Sequence, residues 1–228
     1  GRLIFRTTAD GAAATTERMR IDSSGRVLTG HTAVYGSGKA QVFNTAQYVL
    51  DLSTWSADAN GPTIDFYKSR NATIGSSTIV QDDDVVGRLR FLGNDGANSR
   101  TAAQITAEVD GTPGTNDMPG RLVFGTTADG ASSPTERLRI TSGGNLTLGT
   151  TVSNERVHIH TASSLKAQQQ FTNTTTGTGG GDGLVIGITG GEEAIFWNQE
   201  DTDTIFATDN TERLRIDSTG AITVGNRT

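Results

Sequence analysis

Apolar and polar residues alternate in short runs along this chain, and one such pattern returns three times. Within 135–148, Leu138 and Ile140 point one way and Arg137 and Arg139 the other, at the period of two that marks a strand. Thr141-Ser142-Gly143-Gly144-Asn145 is turn chemistry, with glycine available for positive φ, and Leu146 and Leu148 then resume the alternation. The pattern predicts a β-hairpin with a Gly-containing connection of about five residues. An upstream copy carries Met19, Ile21 and Val27, with Thr29 where Leu148 would stand, and a downstream copy carries Leu214, Ile216, Ile222 and Val224. Further strands are expected at 87–91, at 105–109 ahead of a turn at 110–114, at 157–159 and at 183–189. No convincing helix emerges, and 164–170 is read as a helical turn or two at most. Residues 172–183 (TNTTTGTGGGDG) are low in complexity and are expected to form a mobile loop or linker.

The copies are long enough to locate loops. GRLIFRTTADG at 1–11 matches GRLVFGTTADG at 120–130, and TTERMRIDSSGRV at 15–27 matches PTERLRITSGGNL at 134–146, at an offset of 119 throughout. The third copy, TIFATDNTERLRIDSTGAITVG at 204–225, places only 6 positions between Phe206 and Glu212, where Phe5 to Glu17 and Phe124 to Glu136 span 12. Loops tolerate such deletions and strands do not, so the element is strand, loop and strand.

Composition adds a constraint on the core. The 228 residues include 29 Gly and 36 Thr but only 48 Leu, Ile, Val and Phe. A net charge of −6 is too small to favour disorder, so a folded chain with a thin core is expected. Short strands with one or two apolar residues per face bury little against the entropy of ordering them, and their edges invite pairing with another chain. An obligate assembly of identical chains answers both problems. The absence of Cys excludes disulfides, thiolate zinc sites and a cysteine nucleophile. No apolar run is long enough to span a bilayer and 1–20 does not read as a signal peptide, so no membrane insertion is expected. The 16 Arg and 3 Lys are scattered without a basic stripe, so no nucleic acid partner is expected either.

The series GRLRFLGNDG at 87–96, AAQITAEVDGTPGTNDMPGRLVFGTTADG at 102–130 and TERLRITSGGNLTLGTT at 135–151 resembles the repeat of phage tail fibres and related virion appendages. The stretch NGPTIDFYKSRNATIGSSTIVQDDDVVG at 60–87 is similar to the start of the same unit. The resemblance divides the chain into the C-terminal part of one unit at 1–31, a full unit at 32–150 and a second, related β module at 151–228 ending in the third hairpin. It implies an all-β fold of repeated short-strand hairpin modules, elongated and intertwined as a homotrimeric fibre. The implied location is the virion tail fibre. The implied partners are identical chains, other tail or baseplate proteins and, for an attachment element, a host-surface glycan. The number three comes from the resemblance. Many such fibres end in a self-cleaving intramolecular chaperone domain, whereas this sequence runs only to Gly225-Asn226-Arg227-Thr228 after the third hairpin and starts in mid-unit at Gly1, so it is read as a segment. The function expected is that of a non-catalytic spacer or attachment segment, with no catalytic, cofactor or metal residues assigned. The alternatives are a tailspike enzyme degrading surface polysaccharide, or a capsid decoration protein or bacterial adhesin using the same repeat.

Several residues invite chemistry and are weighed against plainer roles. Asp82-Asp83-Asp84 offers hard oxygen ligands for calcium, but the spacing fits no known loop and a solvated turn is preferred. His158 and His160 flank Ile159 and share a face, which in a trimer would gather six imidazoles for an axial transition metal. Such His-x-His arrangements have precedent among phage fibres, yet Val157 and Ile159 compete for the inward face. Glu192, Glu193 and Glu200 near Trp197 suggest a glycosidase, but nothing promises a cleft holding two carboxyls about 5–9.5 Å apart. His31 with the other two His forms no Ser/His/Asp constellation, and Gly179–Gly183 lacks the Lys and helix of a phosphate loop. Glu17/Arg18/Arg20, Glu136/Arg137/Arg139 and Glu212/Arg213/Arg215 are read as structural ion pairs, between chains or strands, rather than a site for anionic glycans. Trp55, Tyr67 and Trp197 are the aromatics best suited to glycan contact, with core or interface roles preferred. Asn71-Ala72-Thr73 and Asn145-Leu146-Thr147 are sequons expected by chance in so Thr-rich a chain.

Overall fold

The computed structural model describes residues 1–45, 47–163 and 165–225. It divides into two units, Gly1–Asp65 and Phe66–Thr228. The first holds one sheet of β1 (Leu3–Thr8), β2 (Thr15–Ile21), β3 (Val27–Thr29) and β4 (Ala40–Val42), in that order. The second holds three. A six-stranded sheet contains β5 (Val85–Asn94), β6 (Ser99–Val109), β7 (Gly120–Thr126), β8 (Thr135–Ile140), β9 (Leu146–Leu148) and β10 (Val157–Ile159). Two three-stranded sheets follow: β11 (Ala167–Phe171), β12 (Leu184–Ile188) and β13 (Ala194–Asn198), then β14 (Thr204–Thr208), β15 (Thr211–Ile216) and β16 (Ile222–Val224). Sheet order equals chain order everywhere, so each sheet is a meander of adjacent strands. All pairs are antiparallel except β3/β4 and β9/β10, which are parallel and need a crossover.

The three hairpins form for one local reason. In each, a glycine at positive φ (Gly25, Gly144, Gly220) donates its N–H to the carbonyl three residues back, at Asp22, Thr141 and Asp217. The N–H of that same residue then bonds the carbonyl of Arg26, Asn145 or Ala221, closing a type I turn with a left-handed fourth residue. The shortened loop of the third copy becomes a two-residue turn in which Asp209 and Asn210 have φ of 51° and 52°, the geometry that suits tight hairpins.

A β-bulge recurs in all three copies. Phe5 faces Met19 while Arg6 faces Glu17, so Arg18 is the extra residue, and Arg137 and Arg213 are extra in the same way. Each bulge carbonyl accepts an N–H from a glycine just beyond the third strand: Gly30, Gly149 and Gly225. At Gly149 the next residues then turn into the crossover that returns as β10, where His160 N–H bonds the carbonyl of Leu148 at 2.9 Å.

One expectation is corrected. The stretch 164–170, read as a helical turn or two at most, contributes 167–170 to β11: Ala167 to Phe171 pairs antiparallel with Ile188 to Leu184, and the ladder to β12 outweighs the helix preference of Ala and Gln. Ser164, at the start of that reading, lies outside the described residues. Residues 172–183 form the expected loop between β11 and β12, in which Asp182 accepts from Gly179 N–H and Gln170 donates to the carbonyls of Gly179 and Asp182.

The sheets have one polar and one apolar face. Ile159, Leu148, Leu138, Phe124, Ile105 and Leu89 pair in register, giving one apolar row across all six strands. Val157, Leu146, Ile140, Leu122 and Ala107 form a second row beside it. Leu89, Leu122, Ile140, Leu148 and Val157 of these rows are exposed, Leu89 at 49 %, while Ile159, Leu138, Phe124, Ile105 and Leu146 are half-buried. The opposite face carries Thr147, Arg139, Val123 and Thr106, of which Thr147, Val123 and Thr106 are buried. Among the described residues the buried apolar side chains are Leu28, Val80, Val109, Val123 and Val185. The chain thus buries its Thr- and Arg-bearing face more deeply than its Leu- and Phe-bearing face, which stays partly uncovered.

Candidate functional site

The repeated Glu-Arg-x-Arg element is the most regular arrangement of charge in the molecule. On a plain strand, residues three apart face opposite sides. The extra residue at Arg18, Arg137 or Arg213 resets that alternation, so Glu17 meets Arg20, Glu136 meets Arg139 and Glu212 meets Arg215 through two N–H···O contacts each. The forked guanidinium fits the carboxylate side-on. The hydrogen bond from Arg20 holds the Glu17 carboxyl below its ordinary range, and that from Arg215 does the same for Glu212. The bulged Arg themselves each donate Nε–H to a threonine hydroxyl, at Thr7, Thr126 and Thr208. Each of these Glu–Arg pairs therefore lies within one strand, where it locks the bulge, and Arg215 also reaches Asp203 ahead of β14.

The three Asp split between different jobs. Asp82 accepts the N–H groups of Asp83 and Gly111, Asp83 pairs with Arg121, and Asp84 takes both Nε and Nη2 of Arg70 at 2.6 and 2.9 Å. The Arg70 hydrogen bonds, with the N–H of Gln81, pull the Asp84 carboxyl down to about 2. Half-buried Arg121 also reaches Glu108 and Asp110, making it the hub of a four-residue cluster. Burial works against charge on Asp110, but hydrogen bonds from Ser142 and Arg121 outweigh it and keep its carboxyl low. Asp203 caps Ser218 and pairs with Arg215 in the third copy as Asp110 caps Ser142 in the second. Sequence reading missed this recurrence because the two Asp lie at different distances from their hairpins.

His158 and His160 stand close, with ring centroids 6.3 Å apart. Val157 and Ile159 occupy the apolar rows, so His158 shares the opposite, polar face with Thr147, and its Nδ1 lies 3.0 Å from the carbonyl of Val152. No group of three or more His, Asp or Glu side chains suited to a metal occurs among the described residues. His31 lies in the other unit, against the ring of Phe43.

The Glu residues are not brought together. Glu192 and Glu193 sit in the β12–β13 turn, where Glu193 accepts from the Thr189 hydroxyl, whereas Glu200 follows β13 and accepts Gly183 N–H at 2.6 Å. The five strand residues of β13, about 16 Å long, lie between Glu193 and Glu200 and set them at opposite ends of the strand, beyond the reach of a glycosidase pair. Trp55, Tyr67 and Trp197 are all exposed, the last on the sheet β11–β13, so none fills the core. No helix among the described residues is long and apolar enough to cross a membrane.

No protein-family model matches the sequence, and no curated protein matches it. Solved structures do resemble the fold. The carboxy-terminal domain of the bacteriophage T5 L-shaped tail fibre aligns with a TM-score of 0.52 at 15 % identity, covering 76 % of this chain and 73 % of that one. The same domain with its intramolecular chaperone domain aligns equally well, over 76 % of this chain and 51 % of that longer one. At such low identity the likeness speaks for architecture, and the chain shares the fold of a phage tail fibre's carboxy-terminal domain.

Proposed function

We propose that this chain is a structural segment of a phage tail fibre, assembled from three identical chains on the virion tail and acting as a spacer or host-attachment element without catalysis. The observation that carries the reading is the uncovered apolar surface. The chain exposes 16992 Å². A monomer of this mass folded as one compact domain exposes roughly 10,000 Å², and two separate domains of these sizes about 12,000 Å². The excess of roughly 5,000–7,000 Å² is of the order that obligate interfaces remove. The exposed apolar residues include Leu89, Leu122, Ile140 and Leu148 of the in-register rows, which identical chains would bury by turning them inward. The fold shared with the T5 fibre domain supports the tail-fibre assignment, and the number three rests on the likeness to that class of fibre. Units at 1–31, 32–150 and 151–228 fit a repeated spacer, with other tail or baseplate proteins as neighbours and a host-surface glycan as the target of an attachment role.

Immunogold labelling of virions with antibodies to this chain tests the assignment. Label on tail appendages is expected. Label on the head or on the bacterial surface would replace the reading with a decoration protein or an adhesin. Release of oligosaccharides from host capsular polysaccharide by the purified chain would replace it with a tailspike enzyme.

A further inference from the structure

Two of the three hairpins carry a strand that the third lacks. β4 lies parallel to β3 and β10 lies parallel to β9, each supplied by the same chain after a crossover, of ten residues (30–39) in one and eight (149–156) in the other. The two attachments share their bonds. Val27 N–H goes to the carbonyl of Lys39 and Leu146 N–H to that of Arg156, while Phe43 and His160 return an N–H to Thr29 and Leu148. The cation ahead of each covering strand reaches the hairpin turn, Lys39 Nζ to the carbonyl of Ser24 and Arg156 Nη1 to that of Gly143, the third residue of each turn. The polar residue in the middle braces its own crossover: Gln41 accepts Tyr35 N–H and donates to Gly38, and His158 Nδ1 lies 3.0 Å from the carbonyl of Val152.

β16 has no such cover among the described residues, since it pairs with β15 alone. Asp217 N–H bonds Ala221 and Gly225 N–H bonds Arg213, so 221, 223 and 225 turn their backbone groups toward β15. By alternation the N–H and C=O of Ile222 and Val224 point to the open side. Burial shows the difference. Leu28 and Thr147, at the centres of β3 and β9, are 1 % and 0 % exposed, whereas Thr223 at the centre of β16 is exposed, as are Ile222 and Val224. An open row of backbone donors and acceptors is a template for a further strand.

We infer that β16 receives a parallel strand from the same polypeptide, eight to ten residues beyond Val224, with the pattern Lys or Arg, apolar, polar, apolar. That pattern is the one in Lys39-Ala40-Gln41-Val42 and Arg156-Val157-His158-Ile159. The cation would meet the carbonyl of Thr219, which stands where Ser24 and Gly143 stand and accepts no hydrogen bond among the described residues. The pairing needs no second chain, so it is independent of the assembly proposed above.

The test repeats residues 149–162 after Val224 in the full chain, in place of 225–228, so that β16 meets the strand that covers β9. Amide exchange resolved to single residues should slow about tenfold or more at Ile222 and Val224, and little at Thr223, whose N–H β15 already holds. Alanine in place of the repeated arginine should give back about threefold of that slowing. The chain has no cysteine, and Thr147 lies opposite His158, so Thr223→Cys should form a disulfide within one chain when cysteine replaces the repeated His158, and not when it replaces the repeated Val157 or Ile159. Unchanged exchange at Ile222 and Val224 overturns the inference, as does a disulfide without preference for register. Slow exchange at both residues in the full chain without the repeat, with Thr223→Cys chains linking to one another, overturns it in favour of a second copy at this edge. Sequencing the gene past the Thr228 codon tests the occupant: the stated pattern is expected, and a stop codon, or Pro or a charged residue at either apolar position, overturns it.

Discussion

Gly149 is where the bulge, the third hairpin strand and the crossover meet, and replacing it with alanine tests that junction. Its φ is 75°, and a Cβ there would overlap the carbonyl oxygen of His160 and lie 3.3 Å from its carbon. The left-handed conformation alone costs an alanine about 1–2 kcal/mol. Relieving the overlap moves His160 away, which strains its N–H bond to Leu148 and the bond from Gly149 to Arg137, for about 1 kcal/mol each. The total is about 3–4 kcal/mol. Gly144 provides the control: its φ is also 75°, but the nearest atom to a Cβ is the mobile Nη1 of Arg156 at 3.4 Å, so only the backbone cost of about 1–2 kcal/mol applies. Urea unfolding of Gly149→Ala and Gly144→Ala at one fixed chain concentration measures the difference. The Gly149 variant should lose about 2 kcal/mol more than the Gly144 variant. Equal losses would refute the claim that the crossover passes too close to Gly149 to admit a side chain.

Two further outcomes follow from the charges. Arg121→Met leaves Glu108 and Asp110 facing one another without their cation and should cost about 2 kcal/mol after allowance for solvent screening, against under about 1 for Arg137→Met, which loses only the Thr126 bond; thermal melts compare them. Asp84 and Asp95 both titrate near 2 when folded, against an ordinary 3.8. Depressed carboxyls stabilise the fold above their unfolded value and lose that contribution as pH falls through the folded one, so melting temperature should hold level from pH 5 to 8 and drop between about pH 4 and 2. Asp84→Asn should shrink that drop.

The hairpins were legible because their determinants are local: Leu138 and Ile140 at period two, then a turn with Gly144 in the one position that needs positive φ. Ala40–Val42 escaped notice, since Ala-Gln-Val has one strong strand former and becomes β4 only by pairing with β3. The stretch 164–170 was misread for the same reason, its Gln run being helical by preference and extended by partnership in β11. The bulges at Arg18, Arg137 and Arg213 leave no mark on composition, yet they place Glu and Arg side by side where simple alternation separates them. Pairing across distant segments likewise fixed what sequence left open at Asp82 to Asp84, because Arg70 and Arg121 approach from other parts of the chain.

Sedimentation equilibrium of the purified chain bears most directly on the central claim that the bare Leu, Ile and Phe rows are the interior of an assembly. A single species of about 72 kDa, three times the 23.9 kDa of one chain, is predicted, with no folded monomer on dilution to nanomolar concentration. A well-folded species of 23.9 kDa at micromolar concentration would contradict it.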